Sequence, residues 1–231
     1  MNDEYSRQSE KTWNSIARSF DSTRHKPWDI CVDFINNLPK DSIVADIGSG
    51  NGRHLIPCAK HCKKVIGIDV SDELLNIIKK KAEENNLKNV ELIKADAVDI
   101  PLKNNSVDAI LFVASLHNIV KRYRRIKSLE ETRRILKPEG KAIISVWSRW
   151  QDKFRSDFFK KCLSPYKRKE FGDVKLIWKQ HGLNVPRFYH LYSKREFIND
   201  LKKANLSIIE IKSVKISSKK YPDNFFAIVK K

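Results

Sequence analysis

Three of the chain's seven glycines lie in one short segment, DIGSGNG, at residues 46–52. Gly48, Gly50 and Gly52 directly follow an apolar run and precede a helical pattern. Glycine lets a backbone turn tightly and approach a ligand closely, and the amides at a helix N-terminus add a partial positive field. A dinucleotide-binding fingerprint has the spacing GxGxxG, whereas here the third glycine comes one residue early. Taken alone, the segment is a weak indication of a ligand-binding loop.

Two aspartates stand where the next two predicted strands end. Asp69 ends the second strand, where a carboxylate can accept both hydroxyls of an adenosine ribose. Asp96, in the segment ADA after the third strand, can accept the amino group of adenine. On its own, Asp96 would more simply be a helix cap or a turn carboxylate. Together with the glycine loop, the two acids make a nucleoside pocket a stronger prediction.

A histidine follows the fourth predicted strand, in the segment FVASLHNIV. Ligands of open α/β sheets bind beyond the carboxyl ends of the strands, so this is where a reacting group is expected. A lone histidine is more often structural, but this position favours a site role for His117.

Three cations, Arg24, His25 and Lys26, stand side by side in the segment SFDSTRHKPWDI and are followed at once by Pro27 and Trp28. Proline fixes its own φ and biases the preceding residue toward an extended conformation, which gives Arg24 a defined position. The simplest interpretation is a solvated connector between two helices. The alternative is that Arg24 binds an anion.

The elements that must position these residues alternate along the chain. Short apolar runs rich in Ile and Val predict five strands, as expected for a parallel sheet covered on both faces; they span residues 43–47, 64–69, 90–96, 107–114 and 142–147. Helices are predicted near residues 9–20 and 28–37 and over 71–86. Strands that alternate with helices imply right-handed crossovers and a doubly wound sheet.

The C-terminal part departs from this rhythm. A helix over residues 193–205 is followed by two apolar runs with only a short turn region between them, which allows an antiparallel hairpin but not a crossover. The segment 149–190 carries aromatics and cations without a clear period, and a segment of this length within a compact domain is often functional. We expect a single domain over 1–231, with helices and a substrate-binding turn in 1–40 and a substrate-recognition insertion in 149–190.

Composition points to a polyanionic partner. The chain carries 46 Lys and Arg against 28 Asp and Glu, a net charge of +18, which favours nucleic acid over a membrane surface. The other explanation of this excess is a genome bias or a hot habitat. Two basic runs, KRYRRIK (121–127) and YKRKE (166–170), are expected to flank the site entrance, and we expect some of their cations to contact phosphates rather than form a merely solvated face.

The cysteines and the length of the apolar runs indicate the compartment in which the protein works. The four cysteines form no CxxC pair, so a reduced, cytoplasmic protein is predicted. His54, Cys58, His61 and Cys62 have helical spacing that suits zinc, but structural zinc sites usually draw on two separated pairs, so we expect no metal. No run reaches the length of a membrane helix, and the polar N-terminus predicts no secretory signal.

The glycine loop, the two acids and the C-terminal hairpin together resemble a class I S-adenosylmethionine-dependent methyltransferase. The resemblance covers nearly the whole chain and implies an α/β, Rossmann-like sheet of seven strands, mostly parallel, with one antiparallel strand in the C-terminal hairpin. It also implies S-adenosylmethionine as the cofactor. Asp46 and Gly48, with Gly50 in the same loop, are then expected at its methionine part, Asp69 at its ribose, and Asp96 with Ala97 around its adenine.

A narrower resemblance comes from four segments, namely NSIARSFDSTRHKPW, DIGSGNGRHL, LHN and PRFYHLYSKREF. Together they are similar to the tRNA methyltransferases that esterify 5-carboxymethyluridine at the wobble position. By position, Arg24, His117 and Arg187 match that family's substrate-site residues. The resemblance further implies tRNA as the substrate and a small zinc-binding activator protein as a partner.

Two other functions stay open at this point. One is a methyltransferase for a small-molecule carboxylate or a quinone-like ring, against which the charge and the paired arginines argue. The other is a non-catalytic subunit that only binds tRNA or cofactor, against which the intact DIGSGNG segment, Asp69 and Asp96 argue. The end of the fourth strand has neither the Asn/Asp-Pro-Pro-aromatic sequence used to methylate base amines nor a cysteine that could attack a pyrimidine ring.

Overall fold

The computed structural model describes residues 3–162 and 170–231. Within these ranges, the strands are β1 (Ile43–Ile47), β2 (Lys64–Asp69), β3 (Val90–Lys94), β4 (Val107–Phe112), β5 (Leu136–Trp147), β6 (Asp173–Trp178), β7 (Val185–His190), β8 (Ser207–Val214) and β9 (Asn224–Lys230). The helices are α1 (Glu4–Asp21), α2 (Asp29–Asn36), α3 (Leu55–His61), α4 (Asp72–Glu84), α5 (Arg122–Ile135), α6 (Arg155–Cys162) and α7 (Lys194–Lys203). Single 3-10 turns lie at Leu116–Asn118 and Gln180–Gly182.

Seven strands form one sheet in the order β3-β2-β1-β4-β5-β9-β8. The first five strands pair in parallel, whereas β9 lies antiparallel to both of its neighbours. Apolar clusters cover the sheet on both faces, which explains why the strands are continuous apolar runs. The predicted α/β fold, with seven strands and one antiparallel strand in the C-terminal hairpin, is confirmed.

The bounds of β1 and β2 coincide with the prediction, whereas the other three strands differ. β4 ends at Phe112 and not at residue 114. β3 ends at Lys94, which leaves Asp96 in the turn beyond the sheet. β5 begins at Leu136 rather than at residue 142, and Leu136 pairs with Val107 of β4. The charged segment KPEGK interrupts the apolar run, so a prediction based on continuous apolar residues misses this first part of the strand.

The segment 149–190 contains regular structure that the sequence did not predict. It includes α6 and an antiparallel hairpin formed by β6 and β7. An isolated two-stranded hairpin is marginally stable in water, and this one packs its buried Tyr189 against Phe154 and Phe158. Tertiary packing, rather than local periodicity, therefore stabilises the hairpin.

The basic run KRYRRIK forms the end of a turn and the start of α5, and most of its arginines bind carboxylates. Arg125 is fully buried; it binds Glu170 and donates a hydrogen bond to the Tyr192 hydroxyl at 2.9 Å. Arg122 binds Asp200 at 2.6 Å. These ion pairs attach the base of the β6–β7 hairpin and α7 to α5.

The expectation that this run contacts phosphates is therefore wrong for its buried arginines. Arg124 is 5% exposed and Arg125 is 0% exposed, because acids from neighbouring elements surround them. Four residues of the second run, 166–169, lie outside the described residues, and its last residue, Glu170, is one of these carboxylate partners. In the described ranges, none of the helices is both long enough and apolar enough to cross a membrane.

Candidate active site

The glycine loop turns sharply at the carboxyl end of β1. Gly48 has a φ of +64°, which favours glycine, and a Cβ at this position would lie 1.9 Å from the Ser115 hydroxyl oxygen. Gly50, with a φ of +57°, donates its amide N–H to a carboxylate oxygen of Asp69 at 2.9 Å. The loop thus lies close to both neighbouring strand ends, and no larger residue fits at Gly48 without moving Ser115.

Asp69 lies at the carboxyl end of β2, and backbone amides fix its orientation. Besides the Gly50 amide, the Ser71 amide donates to its carboxylate at 3.0 Å. Burial raises the pKa of Asp69, and these backbone hydrogen bonds oppose that effect. The Ser71 hydroxyl donates in turn to Asn14 of α1 at 2.6 Å, which ties the N-terminal helix to this corner.

Asp46 is a buried carboxylate at the end of β1. Asp46 is 3% exposed, and its pKa is set by burial and by two neighbouring charges, with no hydrogen bond from a described residue among the causes. Burial, and to a smaller extent the negative charge of Asp69, raise the pKa of Asp46 to about 7. A carboxylate in this environment gains most from a cationic ligand group, because such a group restores the solvation that was lost on burial.

Asp96 is engaged within the protein. It accepts a hydrogen bond from Arg124 at 2.6 Å, one from the hydroxyl of Ser6 in α1, and one from the Val98 amide at 3.1 Å. Ala97 follows it in the wall of the same cavity. Asp96 therefore does two things. It accepts a hydrogen bond within its own turn, as expected of a turn carboxylate, and it also lines the predicted nucleoside pocket.

These residues line one cavity with an empty volume of about 980 Å³ including its open mouth. Asp46, Gly48, Gly50, Asp69, Asp96 and Ala97 all belong to its wall. Two buried oxygens of the wall, Ser49 Oγ and Asn118 Oδ1, have no hydrogen-bond partner among the described residues. These acceptors suit a nucleoside joined to an amino acid. Carboxylates can accept hydrogen bonds from ribose hydroxyls and from an ammonium group, and the two free oxygens remain for further polar contacts.

One side of this cavity comes from α1, which the sequence did not indicate. Tyr5, Trp13 and Phe20 face the cavity from the helix, and ion pairs fix the helix in place. Asp21 binds Lys81 of α4 at 2.5 Å and Glu10 binds Lys94 of β3 at 2.7 Å. The available signal was an amphipathic helix with aromatic residues on its apolar side.

Aromatic residues and arginines form a second region beside the cavity. The guanidinium carbon of Arg187, on β7, lies 4.5 Å from the ring centroid of Trp178 and 5.0 Å from that of Tyr189. The guanidinium carbon of Arg24 lies 5.8 Å from the Trp178 centroid. Phe20 connects the two regions, since its ring lies 6.1 Å from Trp178 and also faces the cavity.

Arg24 and Arg187 therefore lie around the same indole, although they are far apart in the sequence. Burial, and to a smaller extent the positive charge of Arg24, lower the pKa of Arg187. Arg187 Nε is buried without a hydrogen-bond partner among the described residues. Neither arginine forms an ion pair with a carboxylate in the described ranges. Two neighbouring cations without an acid form an environment suited to an anion.

His117 lies in a stack of rings. Its ring centroid is 5.2 Å from that of Trp147 and 5.6 Å from that of Tyr189, and the last two rings lie 4.9 Å apart and nearly parallel. The Trp147 amide donates to His117 Nδ1 at 3.2 Å, so the neutral ring carries its proton on Nε2. Burial, followed by the charges of His190 and Arg187, lowers the pKa of His117 to about 3.

The structure thus brings the three predicted substrate-site residues into one neighbourhood but gives them different exposure. Arg24 and Arg187 are partly exposed, whereas His117 is 1% exposed and lies behind Tyr189. Trp178, Trp147 and Tyr189 connect them, and the sequence did not single out these rings. In the sequence they are only aromatic residues within or next to the segment 149–190, which has no regular hydrophobic spacing.

The residues considered for zinc have other partners. His54 Nε2 accepts the Trp28 amide at 3.3 Å, and His61 lies 2.8 Å from the Leu38 carbonyl oxygen. Within the described part of the chain, one group of potential ligands is close enough to share an ion, namely Glu170, Asp173 and His190. His190 is fully buried, with one ring nitrogen 2.8 Å from Asp173 and the other 2.8 Å from Glu196, so both of its ring nitrogens are already engaged by carboxylates.

Known proteins are similar to this chain in sequence and in fold. The family described as a methyltransferase domain matches residues 45–144. The mouse protein named tRNA (carboxymethyluridine(34)-5-O)-methyltransferase ALKBH8 is 37% identical over 142 residues, which are 62% of this chain and 20% of that protein. The chain thus spans about a fifth of the length of this relative.

Two further matches extend over most of both chains. A protein of Encephalitozoon cuniculi, named as a candidate methyltransferase, is 30% identical over 182 residues, which are 78% of each chain. The crystal structure of a SAM-dependent methyltransferase from Methanosarcina mazei has a TM-score of 0.75 at 19% identity and covers 89% of this chain and 98% of that chain. At 19% identity, the match to the Methanosarcina mazei structure shows that the fold is shared and nothing more.

Proposed function

This chain belongs to the methyltransferase family, and we propose that it is an S-adenosylmethionine-dependent tRNA methyltransferase that esterifies the carboxylate of 5-carboxymethyluridine at the anticodon wobble position. The observation that carries this proposal is the pair Arg24 and Arg187. Both surround the Trp178 ring beside the cavity, and neither is neutralised by an acid among the described residues. An arginine pair with aromatic neighbours suits a substrate that carries a carboxylate on a planar base.

The cofactor, when bound, supplies an electrophilic methyl group on a sulfonium. Asp69 accepts the ribose hydroxyls in this proposal, while Asp96 and Ala97 border the adenine. Asp46, Gly48 and Gly50 bind the methionine part. The residues fit the cofactor because Asp46 is a buried acceptor to which none of the described residues donates, and because two backbone amides already orient Asp69.

The chemistry requires orientation more than proton transfer. A carboxylate with a pKa near 4 is ionised at neutral pH, so its oxygen attacks without a general base. Arg24 and Arg187 would hold one carboxylate oxygen, which would leave the other oxygen free to accept the methyl group as the cofactor departs as the neutral thioether. His117 is neutral at physiological pH, since its pKa is lowered to about 3, and it acts as a positioning residue through Tyr189.

The cofactor site leads to a first prediction. We expect Asp69→Ala to weaken binding of S-adenosylmethionine by roughly 1–3 kcal/mol, because a charge-assisted pair of hydrogen bonds is lost. Isothermal titration calorimetry measures this directly. The matched control is Asp72→Ala, because this aspartate is exposed at the first position of α4 and its carboxylate binds Lys94 instead of lining the cavity. Equal affinity of the Asp69 variant and the parent protein would remove Asp69 from the site.

The solvent face of α1 supports RNA as the partner. Arg7, Lys11 and Arg18 are exposed at helical spacing on this face and border an open groove. No carboxylate of the described residues lies within ion-pair distance of them. At 1.5 Å per residue they are separated by roughly 6 and 10 Å along the helix, so they form a row of cations on one face that can contact several phosphates of one RNA strand.

A second prediction concerns this face. We expect log affinity for tRNA to fall linearly with log salt with a slope of several units, and simultaneous substitution of Arg7, Lys11 and Arg18 by Gln to reduce that slope by about 2. The matched control replaces the exposed Lys40, Lys60 and Lys63, at the opposite end of the strands, by Gln. A flat salt response, or an equal loss in the control, would contradict RNA binding by α1.

Three finer points belong to the same proposal. The substrate is recognised by residues 1–40 and 149–190 of one domain, which is where Arg24 and Arg187 lie. A small zinc-binding activator protein, implied by the resemblance, increases turnover. The reaction takes place in the cytoplasm, in keeping with the three free cysteines of the described residues.

Transfer of a labelled methyl group tests the proposed function. The protein, with and without cell extract as a source of activator, is offered three acceptors: tRNA carrying 5-carboxymethyluridine, the same tRNA without that modification, and the free nucleoside. We expect label only in the first, as an alkali-labile ester. Label in the free nucleoside at an equal rate would favour a small-molecule methyltransferase, and cofactor binding without label in any acceptor would favour a non-catalytic subunit.

A further inference from the structure

Three arginines lie near one another, and no carboxylate of the described residues is in ion-pair contact with any of them. Arg53 follows the glycine loop, and the positive charge of Arg24 lowers the pKa of both Arg53 and Arg187 after the larger effect of burial. None of the three forms an ion pair within 4.0 Å of a carboxylate in the described ranges. Cations that are partly desolvated and repel one another are costly unless an anion binds among them.

Arg53 differs from the other two in the cavity that it borders. Its side chain lines the cavity that contains Asp46, Gly50 and Asp69, whereas Arg24 and Arg187 do not. Trp28 fixes its position, since the guanidinium carbon lies 4.3 Å from the centroid of that ring. The Pro-Trp step after the three N-terminal cations therefore supports an arginine of the glycine loop.

Trp28, the ring on which Arg53 stacks, makes further contacts of its own. The Trp28 amide donates to His54 Nε2 at 3.3 Å, and the two rings lie 5.6 Å apart. Burial, followed by the charge of Arg53, lowers the pKa of His54 to about 3, so His54 stays a neutral acceptor. Trp28 also packs edge-on against Phe226 of β9. A guanidinium on such a platform is preorganised for one geometry of a planar anion.

Arg53 and Asp46 are separated by a gap. They interact electrostatically, because the positive charge of Arg53 opposes the rise in the pKa of Asp46 that burial and Asp69 cause. No nitrogen-oxygen pair of these two residues lies within 4.0 Å. A buried anion and a partly buried cation that do not touch would ordinarily close into an ion pair. Held apart at one end of the cavity, they match the two charges of an α-amino acid, whose ammonium suits Asp46 and whose carboxylate suits Arg53.

We propose that Arg53 binds the α-carboxylate of the methyl donor while Asp46 binds its ammonium group, so that Arg24 and Arg187 remain free for the carboxylate of the acceptor. This inference rests on the cofactor assigned in the proposed function but not on tRNA as the acceptor. Neutralising Arg53 with the donor's own carboxylate also removes one of the repelling charges beside Arg24. Donor binding thereby prepares the cationic region for the acceptor.

Calorimetry with three ligands tests the assignment without any methyl transfer. The ligands are S-adenosylhomocysteine, its analogue lacking the α-carboxylate, and methylthioadenosine, which lacks the whole amino acid. We expect the parent protein to bind S-adenosylhomocysteine about 10- to 100-fold more tightly than the decarboxylated analogue. Arg53→Met is expected to bind both equally and to keep the parent's affinity for methylthioadenosine.

Two further variants complete the design. Arg155→Met removes another arginine stacked on an aromatic ring, with its guanidinium carbon 3.8 Å from the Tyr221 centroid, and is expected to keep the full preference for the carboxylate. Arg53→Lys keeps the charge without the planar fork, so an intermediate preference is expected. If Arg53→Met does not fold, the parent's preference and that of Arg53→Lys still decide the question.

Several results would overturn the assignment. A parent protein that binds the decarboxylated analogue as tightly as S-adenosylhomocysteine has no carboxylate subsite. An Arg53→Met variant that weakens all three ligands alike acts through the shape of the loop. A variant that keeps the preference but loses transfer to tRNA places Arg53 at the acceptor. In that last case the proposed function stands, whereas an inactive protein with the expected preference would contradict only the proposed acceptor.

Discussion

Replacing Arg24 with alanine is expected to slow methyl transfer to carboxymethylated tRNA by about 30- to 1,000-fold, equivalent to about 2–4 kcal/mol of transition-state stabilisation. The reason is that Arg24 lies beside Arg187 and the Trp178 ring, has no acidic partner in the described ranges, and does not line the cofactor cavity. Cofactor affinity should therefore stay within about twofold of the parent. Single-turnover rates, normalised to protein that binds cofactor, give the measurement.

The neighbouring cations supply the controls for this prediction. His25→Ala and Lys26→Ala remove exposed residues of the same segment and should leave the rate nearly unchanged. Arg24→Lys should restore little, because an ammonium group cannot reproduce the planar fork of a guanidinium. If Arg24→Ala lowered the melting temperature and left turnover per folded molecule within twofold of the parent, the segment would be only a solvated connector.

Arg125→Met is expected to lower the free energy of unfolding by about 2–4 kcal/mol, and the melting temperature by roughly 5–15 °C. Arg125 is fully buried and donates to Glu170, to the Tyr192 hydroxyl at 2.9 Å and to the Ile119 carbonyl at 3.2 Å. Its loss removes the guanidinium from Glu170 and the donor from the Tyr192 hydroxyl and the Ile119 carbonyl, at the base of the β6–β7 hairpin. Thermal unfolding followed by circular dichroism gives the measurement.

Lys127→Met is the matched control for Arg125. Lys127 lies on the same helix, its side chain is 54% exposed, and its ion pairs are long, at 4.0 Å. It should change the melting temperature by no more than a degree or two, since exposed pairs contribute little. Were Arg125 instead a phosphate contact, Arg125→Met would reduce the salt dependence of tRNA binding and leave stability unchanged.

The sheet was predictable because its signals are local. β1 and β2 are short runs of mainly apolar residues, and Asp69 is the last residue of β2. The glycine loop follows β1 directly, so Gly48 and Asp69 meet through the parallel pairing of two neighbouring strands alone. Patterns of this kind need no knowledge of distant contacts.

Exposure and partners were not predictable for residues whose environment comes from distant elements. Arg125 belongs to a run of cations that reads as a solvated face, and only the fold brings Glu170 and Tyr192 against it. The place of Arg53 likewise depends on Trp28 from an earlier helix start and on the charge of Arg24. Side-chain types and their spacing do not reveal contacts between residues that are far apart in the sequence.

Mass spectrometry of wobble nucleosides tests the central claim most directly. Transfer RNA is isolated from cells that contain the gene, from cells that lack it, and from cells that carry it with Arg24→Met. The account predicts the methyl ester of 5-carboxymethyluridine in the first sample and its replacement by the free acid in the other two. An identical nucleoside profile in cells with and without the gene would contradict it.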